Sequence, residues 1–222
     1  MKVRLRSRLP IPLLVLFAAV SLLLASNCGT EIGGKKDRSG REEAAKKSEA
    51  TPAAEAPDPA LLGFSYEDST LGLRFSPPRG WPPLEPELLA QTRAALEQMI
   101  REDDRFVSRP VRFFYEKDKR LFMILSEFPD WPVVLDPHSS MADYKTRLLS
   151  TVQGIQVQES RRKQGKLDIY RFEISNPVMV DWRLMILRKD RPPVQVDYLV
   201  PKVVYPAVQA AMEASSRTFE PM

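Results

Sequence analysis

Polar and apolar positions alternate most regularly in the second half of this chain. Val194, Val196, Tyr198 and Val200 alternate with Gln195, Asp197 and Leu199, and Val178, Val180, Trp182, Leu184 and Ile186 share one face of the preceding run. A period of two is the signature of strands. The pattern predicts four of them, Gln153–Glu159, Leu167–Ser175, Val178–Arg188 and Val194–Val200, joined by short polar or proline-bearing turns. Earlier, Leu71, Leu73 and Phe75 alternate with Gly72, Arg74 and Ser76 and predict one more strand. Val111–Tyr115 and Leu121–Phe128 flank the polar Glu116–Lys119 and predict a hairpin. Its runs RFFY and LFMIL are apolar on both faces, which suits strands covered by helices.

Three segments carry the longer helical period instead. From Pro86, a residue suited to a first helical turn, Leu89, Thr92, Leu96, Met99 and Ile100 recur at helical spacing up to Asp103. Ser140 and Asp143 have the S-x-x-D spacing of a capping box. They predict a second helix with Tyr144, Leu148 and Val152 on its buried stripe. Pro206 opens a last helix carrying Ala207, Ala210, Ala211 and Ala214, and Phe219 closes the chain against the core. The order β-turn-α-ββ-α-ββββ-α describes an antiparallel sheet flanked by helices, an α+β domain.

The first 60 residues follow another pattern. Lys2, Arg4, Arg6 and Arg8 precede an apolar run, Leu13–Leu24, and then small residues leading to Cys28. Twelve apolar residues fall short of the roughly 20 that span a bilayer, so the order is that of a secretory signal peptide over residues 1–27. An uncleaved signal-anchor helix is the competing reading. Leu24-Ala25-Ser26-Asn27-Cys28 resembles a bacterial lipoprotein lipobox, with Asn27 standing where Gly, Ala or Ser is usual. The resemblance implies cleavage before Cys28, diacylglycerol on its thiol and acylation, for example with palmitate, of the new amino terminus. Several acyl chains anchor a protein firmly in a membrane. The bland alternative is an ordinary signal peptide followed by a free thiol. Gly29 is not the aspartate that retains many lipoproteins at the inner membrane, so the resemblance implies the periplasmic face of the outer membrane.

After Cys28, Gly29–Ala60 contains no aromatic residue and one large aliphatic, Ile32. It cannot bury enough surface to fold, and as a coil it reaches about 30 Å. Residues 28–60 thus read as lipidated cysteine and tether, and 61–222 as one globular domain.

Removing the leader changes the charge balance. The full chain has 33 basic and 29 acidic residues, and four of the basic ones lie in residues 1–27 with no acidic residue beside them. The remaining chain holds 29 of each, so no basic excess is left to drive counterion release from nucleic acid. A single cysteine leaves no internal disulfide.

Catalytic signatures are scarce. His138 is the only histidine, and its Asp136-Pro137-His138-Ser139-Ser140 setting reads as a loop before a helix cap. No glycine-rich phosphate cradle occurs. No catalytic, cofactor or metal residue is assigned. Asp136, Asp143 and Asp181 read as scattered, solvated carboxylates. Trp81, Trp131 and Trp182 read as core or turn anchors. Trp81 sits in Pro77–Pro83 among four prolines and Gly80, a stiff turn that delivers it either under the first helix or outward to a partner. Arg161, Arg162 and Lys163 open a basic stretch through Lys166, read as a solvated turn or a contact for anionic lipid or an acidic partner.

The segment GLRFSPPRGW, the hairpin, the four-strand meander and the short final helix ending in Phe resemble the Mog1/PsbP-like fold, including bacterial lipoproteins of the DcrB type. The resemblance spans Leu61–Met222 and implies an α/β/α sandwich acting in binding or assembly. Two function classes remain open: a lipid-anchored, non-catalytic module with a protein partner, and a small envelope hydrolase or lipid-handling enzyme.

Overall fold

The computed structural model describes residues 56–97, 106, 108–131, 137–151, 156–189 and 191–222. The expectations placed on the leader, Cys28, most of the tether, Met99, Ile100, Asp103, Asp136 and Val152 lie outside these residues.

Strands β1 (Tyr66–Asp68), β2 (Leu73–Phe75) and β9 (Glu220–Pro221) make a small sheet in the order β1-β2-β9. A six-stranded sheet is built from β3 (Arg109–Glu116), β4 (Leu121–Glu127), β5 (Gln156–Gln164), β6 (Leu167–Ser175), β7 (Met179–Arg188) and β8 (Arg191–Pro201). Its spatial order is β3-β4-β8-β7-β6-β5, every pair antiparallel. The helices are α1 (Pro86–Glu97), α2 (Pro137–Thr151) and α3 (Tyr205–Ser216).

One face of the large sheet presents the alternating set Val194, Val196, Tyr198 and Val200 of β8 with Val180, Trp182, Leu184 and Ile186 of β7. Leu73 and Phe75 of the small sheet, Val208 and Met212 of α3, and Phe219 pack on it. The opposite face carries two clusters. Phe113, Phe122, Ile124 and Leu199 meet Leu84 and Leu89 at the α1 side, while Met185, Phe172 and Leu187 meet Met141, Tyr144 and Leu148 of α2. Helices on both faces of an antiparallel sheet make an α+β domain in α/β/α layers, the layout expected from the sequence.

Several local expectations are corrected. α2 begins at Pro137, so Ser140 lies inside the first turn, fully buried, and does not cap it. Proline is well placed at that start, because its missing N–H has no helical partner there. β7 begins at Met179, leaving Val178 64% exposed. The buried side of α3 is Val208, Met212, Ala214, Ser215 and Ser216; of the alanines the helix carries only Ala214 is buried, while Ala207 and Ala210 face solvent. The small sheet was not anticipated as a unit, since strands of two or three residues carry too little alternation to register.

Candidate functional site

β7 and β8 alternate on both faces, and the polar members of the alternation share the face of α1 and α2. Arg183 stands opposite Asp197, and Met185 opposite Gln195, across the two strands. Arg183 Nε donates to Asp197 Oδ1 at 2.6 Å, and Gln195 Nε2 donates to Asp197 Oδ2 at 2.6 Å. From α2, the Tyr144 hydroxyl donates to Gln195 Oε1 at 3.0 Å and accepts from Arg183 Nη1 at 3.2 Å. These four side chains close a ring of hydrogen bonds. Asp181 joins it through Oδ2, which accepts from Arg183 Nη2 at 2.8 Å.

Asp181 is 2% exposed, and its Oδ1 is buried without a hydrogen-bond partner. The expectation of a solvated carboxylate is therefore wrong for this residue. Helices cover both faces of β7, so the polar positions of its alternation are buried too. Desolvation is the main force on Asp181 and pushes its carboxyl up to about 8, with Arg183 opposing and Asp197 adding to the rise. One guanidinium and two carboxyls sharing a proton leave the group close to neutral, which is how such a cluster is tolerated in an interior. Burial likewise raises the Tyr144 phenol. The ring ties α2 to the middle of the sheet, between the two apolar clusters on that face.

The basic stretch also lies elsewhere than the sequence indicates. β5 runs through Arg161, Arg162 and Lys163 to Gln164, and the turn is Gly165-Lys166. Gly165 takes φ 58°, the left-handed value that a two-residue hairpin favours and that glycine accepts without a Cβ clash. Successive residues of β5 point to opposite faces, so these three basic residues do not form one patch.

Arg162 Nη2 donates to Ser216 O at 2.7 Å, and Gln164 Nε2 donates to Arg217 O and Phe219 O, both at 2.7 Å. The Ser216 and Arg217 carbonyls end α3, so Arg162 and Gln164 cap a helix C-terminus from a strand, and Gln164 also holds the Phe219 carbonyl just ahead of β9. On the other face, Arg161 holds Asp168 in a two-pronged ion pair, with Nε 2.8 Å from Oδ1 and Nη2 on Oδ2. The Arg161 hydrogen bond lowers the Asp168 carboxyl below its usual range. His138, on α2 rather than in a loop, places Nδ1 2.8 Å from the Tyr170 hydroxyl and Nε2 3.6 Å from Asp168 Oδ2. Lys145 of α2 pairs with Glu159 on this same face.

The three tryptophans are buried. Trp81 is 4% exposed and lies 6.2 Å from the Tyr198 ring, centroid to centroid. It follows Gly80 at φ 81°, and its N–H donates back to Pro78 O at 3.1 Å. Its ring is packed inside this chain and is not presented to a partner.

No protein-family model matches the chain, and no curated protein matches it. The chain is similar to a solved PsbP. The solution structure of cyanobacterial PsbP (CyanoP) from Synechocystis sp. PCC 6803 aligns with 78% of this chain and 99% of its own, at 16% identity and a TM-score of 0.47. The likeness concerns backbone path; the ring around Arg183 and the strand β5 stand on their own geometry.

Proposed function

We propose that this protein is a lipid-anchored component of the bacterial cell envelope whose globular domain is a non-catalytic binding module. Its place is the periplasmic face of the outer membrane. The observation that carries the reading is the order of segments: basic leader, short apolar run, lone Cys28, then a proline-bearing polar tether ahead of the domain. The binding role is supported by the exposure of β5 at one edge of the large sheet, while Asp181, Arg183 and Asp197 in the interior are engaged with one another. Extended partners add to such edges through main-chain hydrogen bonds.

Replacing Cys28 with alanine in a bacterial host tests the anchor. The variant should leave the membrane fraction for the soluble envelope fraction and lose incorporation of labelled palmitate. Unchanged membrane retention would restore the signal-anchor reading.

A further inference from the structure

The large sheet has two edges, and one of them is closed. On β3, the Tyr115 N–H donates to Pro82 O at 2.9 Å and Phe113 O accepts from the Leu84 N–H at 2.8 Å, so the chain at Pro82–Leu84 covers that edge. β5 has β6 on one side and, among the described residues, no strand on the other.

The register determines which groups this open edge offers. β5 and β6 pair without a shift from Gln164 opposite Leu167 to Gln156 opposite Ser175. A two-residue turn makes its flanking residues a hydrogen-bonded pair, and bonded and non-bonded pairs then alternate. Gln156, Gln158, Ser160, Arg162 and Gln164 therefore direct their backbone groups to β6. Val157, Glu159, Arg161 and Lys163 direct theirs outward.

We propose that this edge pairs with the same edge of a second copy of the chain, antiparallel and centred on Ser160, so that two six-stranded sheets become one. The proposal rests on the reading of the domain as a binding module and names its partner. Centring on Ser160 sets Glu159 opposite the partner's Arg161, and by symmetry Arg161 opposite the partner's Glu159. Val157 falls opposite the partner's Lys163. Outward backbone groups then meet outward backbone groups, as a ladder requires. Sliding the centre by one residue would set Glu159 against its own copy, or Arg161 against its own copy, and like charges directly opposite are destabilising. Charged side chains on an edge deter indiscriminate pairing; here one register turns them complementary, which confers specificity. The contact is isologous, as a two-fold dimer demands.

A second feature lies beside the edge. Leu149 is 45% exposed. It lies one turn beyond Lys145 on the same side of α2, and the Lys145–Glu159 ion pair holds that side against β5. Edge pairing would bring the two copies of α2 towards each other on one face of the joined sheet, with Leu149 of each between them.

The full chain with Cys28→Ser and Ser160→Cys, purified in mild detergent, tests the pairing. Ser160 would be a non-bonded pair with its own copy, with Cα atoms about 4.5 Å apart, inside the range a disulfide tolerates. Mild oxidation should give a covalent dimer, and Gln158→Cys in the same background should give far less. Arg161→Glu should abolish the dimer in sedimentation, and Glu159→Arg combined with Arg161→Glu should restore it. A wild-type chain that sediments as a monomer at every accessible concentration overturns the proposal, as does Ser160→Cys cross-linking no faster than Gln158→Cys. Fractionation of Cys28→Ala reads the anchored-module proposal separately, so either can fail alone.

Discussion

Arg183 and Asp197 face each other across β7 and β8 with 2.6 Å between Nε and Oδ1, in the buried middle of the domain. The guanidinium serves both Asp197 and Asp181, so its charge is matched only while one of the two carboxyls keeps a proton. Burial raises the Asp181 pKa in the folded state above its value in the unfolded chain. The folded state therefore binds the proton more tightly, and the stability this group contributes is complete below about pH 4 and is lost as pH rises through about 8.

Asp181→Asn keeps the shape and the acceptor for Arg183 but cannot ionise. Its melting temperature should gain on that of the wild type as pH is raised from about 4 to about 8. Thermal melts across that interval check this, and parallel curves for the two proteins would sink the account of Asp181.

Trp81→Ala removes a buried ring from between the proline-rich turn and Tyr198. It should cost about 3–5 kcal/mol, a large share of a typical domain's stability. Denaturant titration measures it, and a loss below about 1 kcal/mol would mean the ring is not part of the core.

Arg162→Ala leaves the Ser216 carbonyl, the last of α3, without its cross-strand donor, while Gln164 still serves Arg217 O. Loss of a charged hydrogen bond of this kind should cost about 1.5–3 kcal/mol. Hydrogen exchange should show the C-terminal turn of α3 opening more readily, with β7 and β8 unchanged. Equal protection of that turn in both proteins would contradict the capping role.

The start of the domain can be located by trimming. Asp58 Oδ1 accepts from the Ala60 N–H at 2.8 Å, and Arg79 Nη2 donates to Pro59 O at 3.2 Å. A chain beginning at Ala56 should melt like one beginning at Gly29, whereas one beginning at Leu61 should lose about 1 kcal/mol, a few degrees in Tm. Equal melting of all three would show that these bonds contribute nothing.

By itself the sequence determined the layer plan. The alternation in β7 and β8 marked Val180, Trp182, Leu184, Val196 and Tyr198 as one apolar face, and all five are buried together. That worked because a strand's faces follow from its period of two, which is local. The fate of the polar half of the same alternation was not local. Asp181 reads as solvated from the sequence; once the layers are assembled, α1 and α2 cover that face and Asp181, Arg183, Gln195 and Asp197 must satisfy one another. The signal was present, since a sheet with helices on both faces leaves no solvent side for such residues, but which of them would meet depended on strand register. The same holds for Arg161 and Arg162. Neighbours in a basic run, they part to opposite faces because β5 extends as far as Gln164, one to hold Asp168 and the other to cap α3. Composition sets how many charges a chain carries; the pairing of strands, set by contacts distant in sequence, decided which of those charges are buried, which are matched and which lie along the open edge.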